Sequence, residues 1–312
     1  MCTAIFDNKY GSFFGRTLDL ECSLWQEVVR CEKGKKLSFI YEGEIDSRFS
    51  FIGMARRAKR GVDGEEIPLF FDGMNECGVS VAALNFFGFA RYTERAEKCR
   101  NLASFEVMPY ILSSCGNIDC VRKLISCANI TADAFSRELP PTPLHFMVAD
   151  REGAIVIEQT KNGLEIYENP IGVMTNSPGF DYHMLKLAEY AALSPNPPAN
   201  SLCRGVNLPQ YSRGFGGLGL PGDFSSSSRF VRAVFLKNHT IIPPKSFMGK
   251  ESEDIALGRF MHIISGVSVP FGCVMTDENS PVCTIYTSVC DMESLTYHYF
   301  TYTDRNVKSI SL

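Results

Sequence analysis

The sequence predicts an α+β fold in which two antiparallel sheets pack face to face between helical layers. Three observations predict it. Strand-like runs crowd the first hundred residues, the middle of the chain and its C-terminal end; helical stretches separate these blocks; and tight-turn signals join successive strands. With no repeat, low-complexity tract or long linker, residues 1–312 are expected to form one domain.

Taken in order, strands are expected at 2–6, 12–17, 27–32, 37–41, 51–55, 69–72 and 79–86, divided by Gly, Asn and Asp turns. Ser104 is expected to cap a helix whose apolar stripe is Phe105, Met108, Ile111 and Leu112. Asn117 begins a second, with Ile118, Val121, Leu124 and Ile125. Strands resume at 144–149, 154–159, 164–168 and 173–175, joined by turns at 150–153 and 161–163. Helices at 182–192, 228–237 and 253–265 then lead into strands at 284–288, 295–302 and 307–310.

Composition removes several function classes. A net charge of −4 offers no basic footprint, so no nucleic-acid partner is expected. The most apolar run, 79–90, is too short to span a bilayer, and the start of the chain lacks signal-peptide features; no membrane partner and a cytoplasmic location are expected. The 12 cysteines form no C-x-x-C pair and the 5 histidines no ligand spacing, so neither metal nor cofactor is expected. Gly214 to Gly219 fits G-x-G-x-x-G, but it follows a polar stretch and runs into Pro221-Gly222. It reads as a bent loop, not a dinucleotide site.

The opening stretch, MCTAIFDNKYGSFFGRTLDLE, leaves two readings for Cys2: a buried small hydrophobe, or a nucleophile that becomes chain-terminal once Met1 is removed. A turn at Asn8-Lys9-Tyr10-Gly11 would place Cys2 opposite Thr17, with Arg16 beside the terminus and Asp19 just beyond it. A free α-amine titrates near about 7.7–8.0 and can act as a general base without any histidine. A neighbouring guanidinium favours a thiolate, and a carboxylate at Asp19 can orient the amine.

Five blocks, MCTAI, FGRTLDLE, DGMNECGVSVAALNF, GVMTNSP and GLGLPGDFSSSSRFVR, occur in one order almost end to end. In them the chain resembles the choloylglycine hydrolase family, which holds bile salt hydrolases and penicillin V acylases. The resemblance implies an N-terminal nucleophile hydrolase with an αββα sandwich and a homotetrameric assembly. It implies catalytic roles for Cys2 as nucleophile, Arg16 and Asp19 as the pair beside it, Asn85 and Asn176 around the oxyanion and substrate, and Arg229 as a second arginine. Taken alone, each asparagine reads as an edge or turn residue. Arg229 stands in an expected first helical turn, against the macrodipole, which calls for a nearby anion such as Asp19 or the Cys2 thiolate.

Asparagine at position 85 and the stretches MCTAI and LNFFGFARY are similar to bile salt hydrolases; GVMTNSPG and SPNPP are similar to penicillin V acylases. The first expectation is hydrolysis of glycine- or taurine-conjugated bile salts. Alternatives are acylase action on penicillin V or on N-acyl homoserine lactones, and a non-catalytic binding protein on the same scaffold. A steroid amide calls for a mostly apolar pocket, and Leu20, Leu24, Trp25, Met54 and Phe135 lie in segments matching the family's site-flanking loops. The basic segment 56–66 departs from the family pattern, as a solvated loop or as a means of steering anionic substrates.

Overall fold

The computed structural model describes residues 1–60, 64, 66–244, 246 and 252–312. In chain order the strands are β1 (Cys2–Asp7), β2 (Phe13–Leu20), β3 (Glu27–Cys31), β4 (Lys36–Phe39), β5 (Gly43–Asp46), β6 (Phe51–Lys59), β7 (Glu66–Phe70), β8 (Asp72–Asn75), β9 (Ser80–Asn85), β10 (Arg100–Ala103), β11 (Ala128–Thr131), β12 (Leu144–Ala149), β13 (Ala154–Thr160), β14 (Gly163–Glu168), β15 (Val173–Met174), β16 (Val274–Met275), β17 (Pro281–Asp291), β18 (Thr296–Thr301) and β19 (Lys308–Ser311). The helices are α1 (Val107–Ser114), α2 (Ile118–Ile125), α3 (Phe180–Lys186), α4 (Ser226–His239) and α5 (Ser252–Ser265). Among the described residues, no helix is long and apolar enough to cross a membrane.

Two antiparallel sheets dominate. One has the order β15-β1-β2-β17-β18-β19, with β16 beside β17; the other runs β14-β13-β12-β9-β8-β6-β3, with β7 beside β6. Helices α4 and α5 cover the first sheet and α1 packs on the second, which gives the expected four layers. Strands β1 and β2 are covered on both faces. Hence CTAIFD is buried at every position and shows no inside-outside alternation. Gly53 shows how tightly β6 and β8 approach: a Cβ there would lie 2.1 Å from the Asp72 carbonyl oxygen.

Several expected boundaries move. Ser104 does not cap α1; that helix starts at Val107, and the Glu106 carboxylate is drawn away to the backbone N–H groups of Ala103 and Ile40 and to Arg60. Asn117 does cap α2, accepting from Cys120 N at 2.8 Å. The strand expected at 37–41 is instead Lys36–Phe39, one arm of a β4–β5 hairpin, and the expected helix at 182–192 starts at Phe180 and tightens into a 3₁₀ turn over Leu187–Tyr190. The parallel pair β10–β11 was not foreseen, because four-residue strands carry too short a pattern.

The opening hairpin corrects its expected register by one residue. Cys2 lies opposite Leu18, not Thr17, and Ala4 opposite Arg16, because Asp7 pairs with Phe13 across a five-residue loop that includes Ser12. A one-residue slip changes which face a side chain meets. In the observed register Cys2, Leu18 and Arg16 share the face toward the second sheet, whereas Thr3, Thr17 and Asp19 share the face toward α4.

Candidate active site

Arg16 is fully buried between the sheets. Its Nη2 donates to Cys2 Sγ at 2.8 Å, Nη1 to the carbonyls of Phe71 and Ala83 at 2.9 and 3.2 Å, and Nε to the Thr17 carbonyl at 3.2 Å. A guanidinium taken out of water needs such acceptors on every side. Its nearest carboxylate, Asp72, lies 4.0 Å from Nη1 and accepts from the hydroxyls of Tyr286 and Tyr297, which reach across from the first sheet. Burial lowers the pKa of Arg16, but Cys2, Tyr286, Asp72 and Asp19 together outweigh it and hold the group above its ordinary value. Burial also pushes the Asp72 carboxyl up, against the pull of Arg16 and the hydroxyls of Tyr286, Tyr297 and Ser288.

Beside β1, just past the end of β15, Asn176 is the hub. Its Oδ1 accepts from Cys2 N at 2.8 Å and from Arg229 Nη2 at 2.7 Å, while its Nδ2 donates to the Asn85 carbonyl at 2.8 Å. Two donors on one oxygen fix the orientation of this amide. Arg229, also fully buried, reaches back from α4 to the Phe224 and Cys2 carbonyls and to Thr3 Oγ1. The anion anticipated beside it is Asp19, whose Oδ2 lies 4.0 Å from Nη1; burial nonetheless lowers the Arg229 pKa. Asp19 also accepts from Thr284 Oγ1 at 2.6 Å and Thr17 Oγ1 at 3.4 Å. A register shift in β17 between Thr284 and Tyr286 sends these neighbours to opposite faces, one toward Asp19 and the other toward Asp72.

A second polar layer braces Asn176. Ser226 Oγ accepts from Asn176 N at 3.0 Å and donates to its carbonyl at 2.8 Å; His183 Nε2 donates to that carbonyl at 2.8 Å. His183 stacks on Phe230, and its Nδ1 is buried with no partner among the described residues. Burial pushes this histidine down to about 4. Nearby, His145 sits with Nδ1 2.9 Å from Glu158 Oε1 and Nε2 2.9 Å from the Thr175 carbonyl.

A cavity of about 240 Å³ opens onto Cys2. Leu20, Leu24 and Phe135 line it as expected, together with Phe105, Met108 and Asn85; Met54 instead packs into the core between the sheets, and Trp25 stands 85% exposed with φ 53°. Asn85 Oδ1 accepts from Phe87 N at 2.9 Å, which leaves the donating Nδ2 end for a ligand oxygen. Met1 also lines the cavity, and its ammonium donates to the Asp19 carbonyl at 2.6 Å. The Asp19 carboxylate therefore contacts Arg229 and two threonines, and Asn176 holds Cys2 N. Sequence reading missed Asp72, Tyr286, His183 and Ser226. The detectable signal was a carboxylate closing the apolar run LFFD.

Residues 2–312 match the profile of the linear amide C–N hydrolases, choloylglycine hydrolase family. A bile salt hydrolase/transferase from Lactiplantibacillus plantarum is 40% identical over 312 residues, covering 100% of this chain and 92% of the relative. The crystal structure of a mutant conjugated bile acid hydrolase from Clostridium perfringens superposes with a TM-score of 0.87 at 31% identity, covering 100% of this chain and 92% of that one. The penicillin V acylase of Agrobacterium tumefaciens shares the fold, with a TM-score of 0.76 at 20% identity and coverage of 100% and 86%.

Proposed function

Because the chain belongs to the choloylglycine hydrolase family of linear amide C–N hydrolases, we propose that it cleaves the amide bond of glycine- or taurine-conjugated bile salts, with Cys2 as nucleophile. The contact that carries this reading is Arg16 Nη2 at 2.8 Å from Cys2 Sγ, at the end of a mostly apolar cavity. It is an N-terminal nucleophile amidohydrolase, and removal of Met1 turns Cys2 N into the general base while Asn176 Oδ1 keeps it oriented.

The thiol gives its proton to that amine, and Arg16 stabilises the resulting anion. Sulfur attacks the amide carbonyl carbon, forming the C–S bond and an oxyanion. Asn85 Nδ2 and a backbone N–H hold the oxyanion. Collapse breaks the C–N bond, and the ammonium on Cys2 protonates the departing glycine or taurine nitrogen. Water then attacks the thioester carbonyl, giving a proton to the amine; the C–S bond breaks and the free bile acid leaves. Asp19 offsets the charge of Arg229, so that the arginine can grip Asn176 and the Cys2 carbonyl without repelling an ammonium at residue 2. An amine in place of water gives acyl transfer. The proposal includes a cytoplasmic homotetramer, as the family resemblance implies.

The test compares kcat/KM for glycocholate, taurocholate and penicillin V on protein whose intact mass shows Met1 removed. Turnover of either bile salt well above penicillin V is expected; fast penicillin V hydrolysis with negligible bile salt turnover refutes the substrate assignment.

A further inference from the structure

The basic segment that departs from the family pattern resolves into separate roles. Arg57 pairs with Glu27 at 2.5 Å, Arg60 with Glu106 at 2.9 Å, and Lys59 is exposed. Gly61, Val62, Asp63 and Glu65 lie outside the described residues. Arg56 differs from the rest. Opposite Leu69 in the β6–β7 ladder, it is half-buried and, among the described residues, is the sole charged side chain lining the cavity that holds Cys2. Among the described residues it has no carboxylate partner within ion-pair distance.

Such a cation is held in an apolar wall, with Leu69, Phe70 and Leu24 lining the same cavity, and it surrenders hydration without gaining a fixed counter-charge from the described residues. A ligand that brings one negative charge into this cavity supplies the missing partner. Glycine and taurine conjugates bring one, a carboxylate or a sulfonate close to the scissile amide. Both anions present several oxygens to a guanidinium, which suits charge-assisted and bidentate hydrogen bonding.

We propose that Arg56 is a specificity-determining residue, the cation that receives the carboxylate or sulfonate of the amino-acid half of the substrate. This rests on the bile salt reading above. Arg56 touches no reacting atom, so its effect should depend on substrate charge.

The test compares wild type, Arg56→Gln and Arg56→Glu on glycocholate, taurocholate and the neutral ethanolamide of cholic acid. In Arg56→Gln, kcat/KM for the two anionic amides should fall about tenfold further than for the neutral amide, a difference of about 1.4 kcal/mol, and Arg56→Glu should widen the gap. Kd ratios for the same three ligands on Cys2→Ala protein, by calorimetry, read Arg56 without turnover and should shift in the same direction. Equal losses on charged and neutral ligands, in rates and in Kd, overturn the assignment. Wild type that binds the conjugates yet hydrolyses none of the three amides refutes the enzymatic reading instead, and leaves the Kd ratios to decide Arg56.

Discussion

Lowering the pH should destabilise this protein through His183. The ring donates from Nε2 to the Asn176 carbonyl, so its second nitrogen, Nδ1, must take any added proton, and no partner among the described residues faces it. The pKa accordingly drops from 6.5 to about 4, with burial as the main cause. A depressed folded pKa means that the unfolded chain binds the proton more tightly. The stability is therefore fully present above pH 6.5 and is lost as the pH falls toward 4. From the two pKa values the loss is about 2 kcal/mol at pH 5 and roughly 3 kcal/mol below pH 4. Urea unfolding at pH 7.5 and 5.0, on wild type and on His183→Gln, measures it. Glutamine keeps a donor for the Asn176 carbonyl and does not titrate, so its pH-dependent loss should be smaller by about 2 kcal/mol. His298, which burial also pushes down, titrates in both proteins and cancels in the difference. Equal losses in the two proteins refute the reasoning.

Four further outcomes are expected. Cys2→Ala should abolish turnover while the thermal midpoint stays within a few degrees, since little buried volume is lost; residual rates near wild type contradict its role. Asn85→Ala should lower kcat by about 10² to 10³, the usual cost of an oxyanion donor, as read in steady-state kinetics. Asp72→Asn leaves Arg16 buried without its counter-charge and should cost about 3–5 kcal/mol in urea unfolding. Gly53→Ala forces β6 away from β8 and should cost at least about 1–3 kcal/mol by the same measurement, although alanine alters no charge.

The periodic parts of the chain were legible before the structure. The cap at Asn117, the stripe of α2 and the turns joining β12, β13 and β14 are local features, written in neighbouring residues. What escaped was non-local. Nothing in the neighbourhood of Ser104 indicates that Glu106 will be claimed by Ile40 and Arg60, and nothing near Asp72 indicates that Tyr286 and Tyr297 will meet it from the other sheet. The resemblance named Asn176 and Arg229 but not the bond between them, nor the Ser226 and His183 layer behind. Trp25 and Met54 show the reverse limit: an apolar residue in the right segment can still point into solvent or into the core.

The five-residue loop between β1 and β2 has a consequence for how this enzyme tolerates change. It lies at the far end of the hairpin from the sulfur, and its first two residues, Asn8 and Lys9, are exposed, so those two should drift freely, whereas Gly11 holds a φ of 106° and Ser12 is buried. The loop's length should not drift. The loop acts as a counting device that decides which side of β2 meets the nucleophile: adding one residue would bring Thr17 opposite Cys2 and deleting one would bring Asp19 there, and either change would turn Arg16 toward α4. A mutational scan would therefore find Asn8 and Lys9 permissive to substitution and the whole loop intolerant of single-residue indels, so that its length is held more strictly than its exposed residues.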